Sequence, residues 1–283
     1  MRNRLASLAG AEVRIGISKR ALIIVRCGAF GRNASVLHEA RYAEDTPMEV
    51  FGKHCRTALS EQGCAGLPLS ITLGDELVRL FMVTPPQNAA RMQDLVGAAS
   101  MRFHSLFGET PRDWRIEADW RVNLPFLACA LPSDMVAQCA GLARDLGMPL
   151  AGLQPHFISA WNLARNELAH KAEPAWLAVF QGTQLSLGMA APGANRVFAT
   201  RGLTVPVEQP GRDWLQEQVT RAALQTGLAV PSRLLLAGEA RSEWTDGKQG
   251  TFAVVRFEKE TMPGTRQLSP RAVPQAAAKA AST

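Results

Sequence analysis

The chain states one plan twice. Glu12–Arg26, EVRIGISKRALIIVR, alternates apolar residues (Val13, Ile15, Ile17) before Ser18-Lys19-Arg20 and runs them together (Ala21–Val25) after it. That pattern predicts a buried β-hairpin turning at those three residues. WLAVF, Gly182 and QLSLGMA, within Trp176–Ala190, predict a second. Each hairpin is followed by a third strand, near Asn33–Tyr42 and Arg196–Thr200, then by a helix and further strands. The first helix opens at Pro47, sets Met48, Phe51, Cys55, Ala58 and Leu59 on one face, and ends at Gly63. Its counterpart opens at Asp213, carries Trp214, Leu215, Val219, Ala222 and Ala223, and ends at Gly227. Apolar residues at helical spacing closed by glycine are what an amphipathic helix requires. A mixed α/β unit repeated in this way predicts two lobes of related topology.

The first copy is longer. After it come LPLSITL (Leu67–Leu73) and ELVRLFMV (Glu76–Val83), which read as two strands turned at Gly74-Asp75. Past Pro85-Pro86 a helix is predicted from about Asn88, with Met92, Leu95, Val96, Ala99, Phe103, Leu106 and Phe107 as its stripe and Gly108 as its stop. Such spacing means core packing rather than a cofactor pocket. Asp113–Asn123 and Phe126–Leu131 predict a hairpin around Pro125. Ser133 then caps a helix bearing Met135, Val136, Cys139, Leu142, Ala143 and Leu146. A strand within MPLAGLQP and a helix His156–Leu168 lead into the second copy, which closes with Arg233–Gly238 and Thr251–Phe257. From about Met262 the chain is rich in Pro, Ala, Gln, Ser and Thr, and is expected to be a disordered tail.

With 283 residues, 47% hydrophobic, the chain can build a substantial core. No apolar run approaches the ~20 residues of a membrane-spanning helix, and no secretory leader is recognisable, so a cytoplasmic location is expected. The five cysteines are odd in number and contain no C-x-x-C pair. Reduced, packed thiols follow. The histidines show no metal-ligand spacing, so no metal is expected. The net charge of +6 gathers at the ends: Arg2, Arg4, Arg14, Lys19, Arg20, Arg26, Arg32 and Arg41 near the start, and Arg266, Arg271 and Lys279 in the tail. These ends could meet nucleic acid or anionic lipid. The chain has neither an aromatic-interleaved basic sheet nor a helix-turn-helix signature, so nucleic acid is not the expected partner. Scattered charge is also what any solvated surface carries.

Several stretches taken in order resemble a known family. They are RIGIS in the first hairpin, LVRLFMVTPP followed by a long helix, LACALPSDMVAQCAGLARDLGMPLAGLQPHFISAWNLAR, and WLAVFQGTQLSLGM with a strand ending at Thr200-Arg201-Gly202. Over Ala11–Arg256 the chain is similar to PilM-type proteins of type IV pilus assembly and to the cytoplasmic domain of the type II secretion protein GspL. Both belong to the actin-like ATPase superfamily. The resemblance implies an α/β, actin-like (ribonuclease H-like) two-lobed fold with a subdomain inserted in lobe one and a reduced second lobe. The implied division is a first-lobe core over 1–80, an inserted subdomain over 81–150, a second lobe over 151–261 and a basic tail over 262–283.

The departures from that family bear on activity. Ser18 stands where its first phosphate turn has Asp, and Arg20 where it has Gly. Phe180-Gln181-Gly182 replaces Asp-x-Gly, and Leu234–Gly238 keeps one glycine of the adenosine loop. Ser18, Lys19, Arg20, Gly182 and Gly238 are thus remnant loop positions, and the lost carboxylates are those that hold Mg²⁺ and orient water. The resemblance implies a pseudo-ATPase scaffold without a bound cofactor, peripheral to the inner membrane. Its partner would be the cytoplasmic tail of a PilN-like membrane protein, in a groove between the lobe-one core and the insert near Arg79, Phe81 and Val83. The alternative is a divergent nucleotide-binding ATPase using Gly16, Lys19, Gly182 and Gly238 with ATP. Against it, each glycine is also explained by a turn or close packing; against the groove reading, Arg79, Phe81 and Val83 are also explained by ordinary strand packing.

Overall fold

The structure, a computed structural model, describes residues 10–28, 34–168, 173–194, 196–206, 208, 211–239, 241–245, 250–259 and 261–263. Asn33, Pro210, the expected tail from residue 264 onward, and the terminal charges Arg2, Arg4, Arg32, Arg266, Arg271 and Lys279 lie outside the described residues.

The duplication read from the hairpins is present in the sheets. In lobe one, β1 (Glu12–Ile17), β2 (Ala21–Cys27), β3 (Ser35–Arg41), β4 (Leu69–Leu73) and β8 (Leu150–Pro155) form a sheet of order β3-β2-β1-β4-β8. The first three run antiparallel, and β1, β4 and β8 run parallel. In lobe two, β9 (Ala175–Gln181), β10 (Gln184–Ala190), β11 (Ala199–Thr204), β12 (Arg233–Gly238) and β13 (Ala253–Arg256) repeat the order as β11-β10-β9-β12-β13, with the same senses. The central strands of lobe two are covered on both faces, and all seven residues of β9 are buried. Apolar runs such as WLAVF are what doubly covered strands require.

Helices α1 (Met48–Glu61) and α3 (Ser133–Asp145) bury Phe51, Cys55, Leu59, Met135, Cys139 and Leu142 against Val13, Ile15, Leu22 and Ile71 of the first sheet. Helix α5 (Arg212–Thr226) covers one face of the second sheet with Leu215, Val219, Ala222 and Ala223. Helix α4 (His156–Leu168) covers the other face through Phe157, Ala160, Trp161 and Ala164. Where lobe one places a whole subdomain and α3 between its last two strands, lobe two has a single helical turn, α6 (Ser242–Thr245). The second lobe is reduced, as expected.

Three readings are corrected. Gly74-Asp75 turns no hairpin. β4 lies in the first sheet, whereas β5 (Arg79–Val83) pairs with β7 (Phe126–Pro132) and β7 with β6 (Trp114–Ala118) in a separate three-stranded sheet. The expected division at residue 150 also shifts. α3 and β8 return to the lobe-one core because their apolar residues fit that sheet and β8 pairs parallel with β4. The insert is therefore β5, α2 (Met92–Phe107), β6 and β7. Finally, Met262 does not begin a tail, because it and Thr261 are each 3% exposed. Within the insert, α2 buries Leu95, Ala99 and Phe103, while Met92, Val96 and Leu106 stay exposed. A 16-residue helix spans ~24 Å, and it outreaches a sheet only three strands, or ~10 Å, wide. Asp94 accepts hydrogen bonds from the Ala90 and Arg91 N–H groups at 3.1 and 3.0 Å, and Gly108 closes the helix in the left-handed region.

Candidate functional site

The two hairpin turns face each other between the lobes, and each is closed by a carboxylate of its own lobe. In lobe one the Lys19 N–H donates to Glu76 Oε1 at 2.9 Å. In lobe two the Gly182 N–H donates to Glu239 Oε2 at 3.1 Å. The contacts are equivalent under the duplication. Glu76 follows β4, Glu239 follows β12, and β4 and β12 hold the same place beside the first strand of their sheets. Two backbone donors that could close on a phosphate, one at each tip, are taken by the protein's own carboxylates. Arg20 pairs with Glu44, and Lys19 Nζ lies 4.0 Å from the same carboxylate. Ser18 is buried, with its N–H on Ala21 O at 2.9 Å. These residues, with Arg41 and Gln181, line a cavity of about 210 Å³.

Burial pushes the Glu76 carboxyl above its usual range, against the opposing pull of the Lys19 N–H, and the Glu239 charge adds to the rise. Glu239 is also raised by burial, against the Gly182 N–H and the Arg41 and Arg241 charges. Gly238 is fixed by packing: its φ is +87°, and a Cβ there would stand 2.2 Å from Phe180 O. Gly182 holds the tip of the second hairpin at φ +58°.

Behind the turns lies a buried polar layer. Asp75 Oδ1 accepts the Phe157 N–H at 2.8 Å. Burial raises its carboxyl to about 7, against the bonds from Phe157 and the Ser186 hydroxyl, while the Glu76 charge reinforces the rise. His156 is wholly buried, and burial lowers it to about 4. Its Nδ1 lies 3.3 Å from Gln181 Oε1 and its Nε2 2.6 Å from Thr261 Oγ1. An amide oxygen only accepts, so the neutral ring donates from Nδ1 and accepts the threonine hydroxyl at Nε2. Both groups join the lobes: Asp75 reaches β10 through Ser186, and His156 reaches β9 through Gln181.

The partner residues expected on β5 are not where a partner could use them. Phe81 and Val83 are 3% and 1% exposed, inside the insert core with Phe103. Arg79 is spent within the insert. Its Nη2 lies 2.9 Å from Glu109 Oε1, and its guanidinium sits over Phe107 and Trp114. A cavity of about 490 Å³ instead opens between β6, β7, the end of β8, and α4. Leu127, Ile158 and Trp161 form part of its wall, and Asp119, Arg165 and Arg196 are among its charged lining residues.

Among the described residues, no group of three or more His, Cys, Asp or Glu side chains is placed to hold a metal, and no helix is long and apolar enough to cross a membrane. All five cysteines are buried and none is in a disulfide. Burial pushes the Cys55 thiol to about 12 and the Cys139 thiol to about 11. Asp75, Glu76, Glu239, His156 and Thr261 were not singled out from sequence. The signal for two of them was available: in both copies a glycine and then an acid follow the fourth strand, in Gly74-Asp75-Glu76 and Gly238-Glu239.

No protein family matches the sequence, and no curated protein matches it. Solved structures do. A Bacteroides thetaiotaomicron protein with an actin-like ATPase fold and unknown function superposes with a TM-score of 0.65 at 8% identity, covering 94% of this chain and 97% of that one. The cytoplasmic domain of EpsL, an inner-membrane component of the Vibrio cholerae type II secretion system, superposes with a TM-score of 0.53 at 9% identity, covering 88% and 87%. A PilM–PilN type IV pilus biogenesis complex gives 0.49 at 14% identity, covering 75% and 65%. With its two sheets of one topology and its insert in lobe one, the chain has the actin-like ATPase fold.

Proposed function

We propose that this chain is a non-catalytic scaffold at the cytoplasmic face of the inner membrane. It holds the cytoplasmic tail of a PilN-like membrane protein in a type II secretion or type IV pilus assembly, and touches the membrane only peripherally. The observation that carries this reading is the pair of internal caps, Glu76 on the Lys19 N–H and Glu239 on the Gly182 N–H. An incoming phosphate would meet two carboxylates instead of open amides, and would have to displace both. Ser18 and Gln181 add no charge at the tips. The likeness to the EpsL cytoplasmic domain is in keeping with the assembly context. The groove of about 490 Å³ beside the insert is the place for the partner's tail, in place of the β5 side chains.

The test is calorimetric titration with ATP and Mg²⁺ alongside a thermal-shift measurement. The expected outcome is no heat and no shift at millimolar ATP, and micromolar binding would overturn the reading. A photo-crosslinker at exposed Asn162, in the groove wall, should capture an inner-membrane protein in cells, whereas one at exposed Leu224, on α5, should not.

A further inference from the structure

Strand β13 ends at Arg256, but the chain continues inward. The Phe257 N–H bonds Leu236 O at 2.8 Å, and Lys259 Nζ reaches Leu163 O at 3.4 Å. Thr261 and Met262 then bury themselves between the lobes. On the second lobe, Gln181 Nε2 donates to Met262 Sδ at 3.0 Å, and the Thr261 hydroxyl meets His156 where α4 begins. On the first lobe, Met262 lies against β1, where a Cβ on Gly16 would stand 3.1 Å from its Cγ and Cε. The segment also partitions the cleft. Met262 and Pro263 wall a cavity of about 270 Å³ lined by Glu12, Ser70 and Ser159, and a small one beside Gly16 and Ile23.

The fit is specific at each point. Neutral His156 offers one lone pair, which takes the hydroxyl. The flexible thioether fills an irregular gap, and the missing side chain at Gly16 leaves room for it. We propose that Thr261–Met262–Pro263 is a strap that closes the interlobe cleft from within, so that the lobes separate, and the cleft admits a ligand, only when the strap is displaced.

The test places spin labels on Glu61→Cys, at the end of α1, and Leu224→Cys, on α5. The native thiols are buried, and burial keeps them from the label, so the labels report the distance between the lobes. In the labelled full-length protein, Thr261→Val with Met262→Ala should lengthen and broaden that distance by about 5 Å or more, the scale of a hinge opening. It should also raise the labelling rate of a Ser70→Cys thiol in the cleft at least about tenfold, since reactivity follows exposure. A distance distribution and labelling rate that match the parent would overturn the proposal. If the double variant does not fold, Thr261→Val alone removes one hydroxyl at constant volume. It should still broaden the distribution, and an unchanged distribution would be equally damaging.

Discussion

Replacing Asp75 by Asn should stabilise the protein, and by an amount that grows with pH. In the folded state burial raises the Asp75 carboxyl from 3.8 to about 7. The fold therefore prefers the protonated acid. A group whose folded pKa is raised gives its full stability below the unfolded value and loses it as pH climbs to the folded one. The loss runs at about 1.4 kcal/mol per pH unit across a window of roughly three units, or about 4 kcal/mol at most above pH 7. Asn carries no charge and keeps an oxygen for the Phe157 N–H, so the variant escapes the loss. Glu239 and His156 titrate in both proteins and cancel in the difference, and Glu76, whose charge adds to the rise of Asp75, contributes only the smaller part of it. Urea unfolding of the two proteins at about pH 4.5 should agree to within about 1 kcal/mol. At about pH 8 the variant should be more stable by roughly 2–4 kcal/mol. A difference that does not change with pH, or a variant that is the weaker protein at pH 8, would refute the reasoning.

Other outcomes follow from single contacts. Gly238→Ala drives a Cβ to 2.2 Å from Phe180 O at φ +87°, and should cost roughly 3–5 kcal/mol in denaturant unfolding. Gly74→Ala places a Cβ 2.6 Å from both Glu76 carboxylate oxygens while its own φ stays at −57°. It should displace Glu76, speed exchange of the Lys19 amide about tenfold, and lower stability by about 1 kcal/mol. The five buried thiols should give no reaction with a disulfide reagent in the folded protein and should all react after unfolding, because burial keeps the reagent away.

The sheets were the most legible part of the sequence. Their strands carry apolar alternation or runs in EVRIGI, ALIIV, WLAVF and QLSLGM, and such periods follow from how many faces a strand buries. The stretch Leu67–Val83 was misread because two apolar runs around Gly-Asp look the same whether they pair or diverge. Only the three-stranded sheet of the insert decides which partner β5 takes. For Phe81 and Val83 the sequence leaves groove and core packing open, because strand position fixes which side chains share a face, but not what covers that face. The repeated glycine-acid pair after the fourth strand marks the interlobe acids in both copies, but not what they contact. Each makes contact with a turn many residues away, 57 for both Glu76–Lys19 and Glu239–Gly182, and no local pattern encodes such a distance. Met262 sits in a stretch too polar to suggest burial, and its place is set by an empty volume above Gly16.

The internal caps bear on how this protein responds to cell physiology. A nucleotide-binding protein gains stability from its ligand by mass action, and its folded population rises and falls with ligand concentration. Here the two carboxylates are tethered to the turns they occupy, at a fixed local concentration that no metabolite level alters. Each turn is closed as soon as its own lobe folds. Under the scaffold reading, the part is equally available to a starved cell and a growing one, and the timing of assembly has to be supplied by other components.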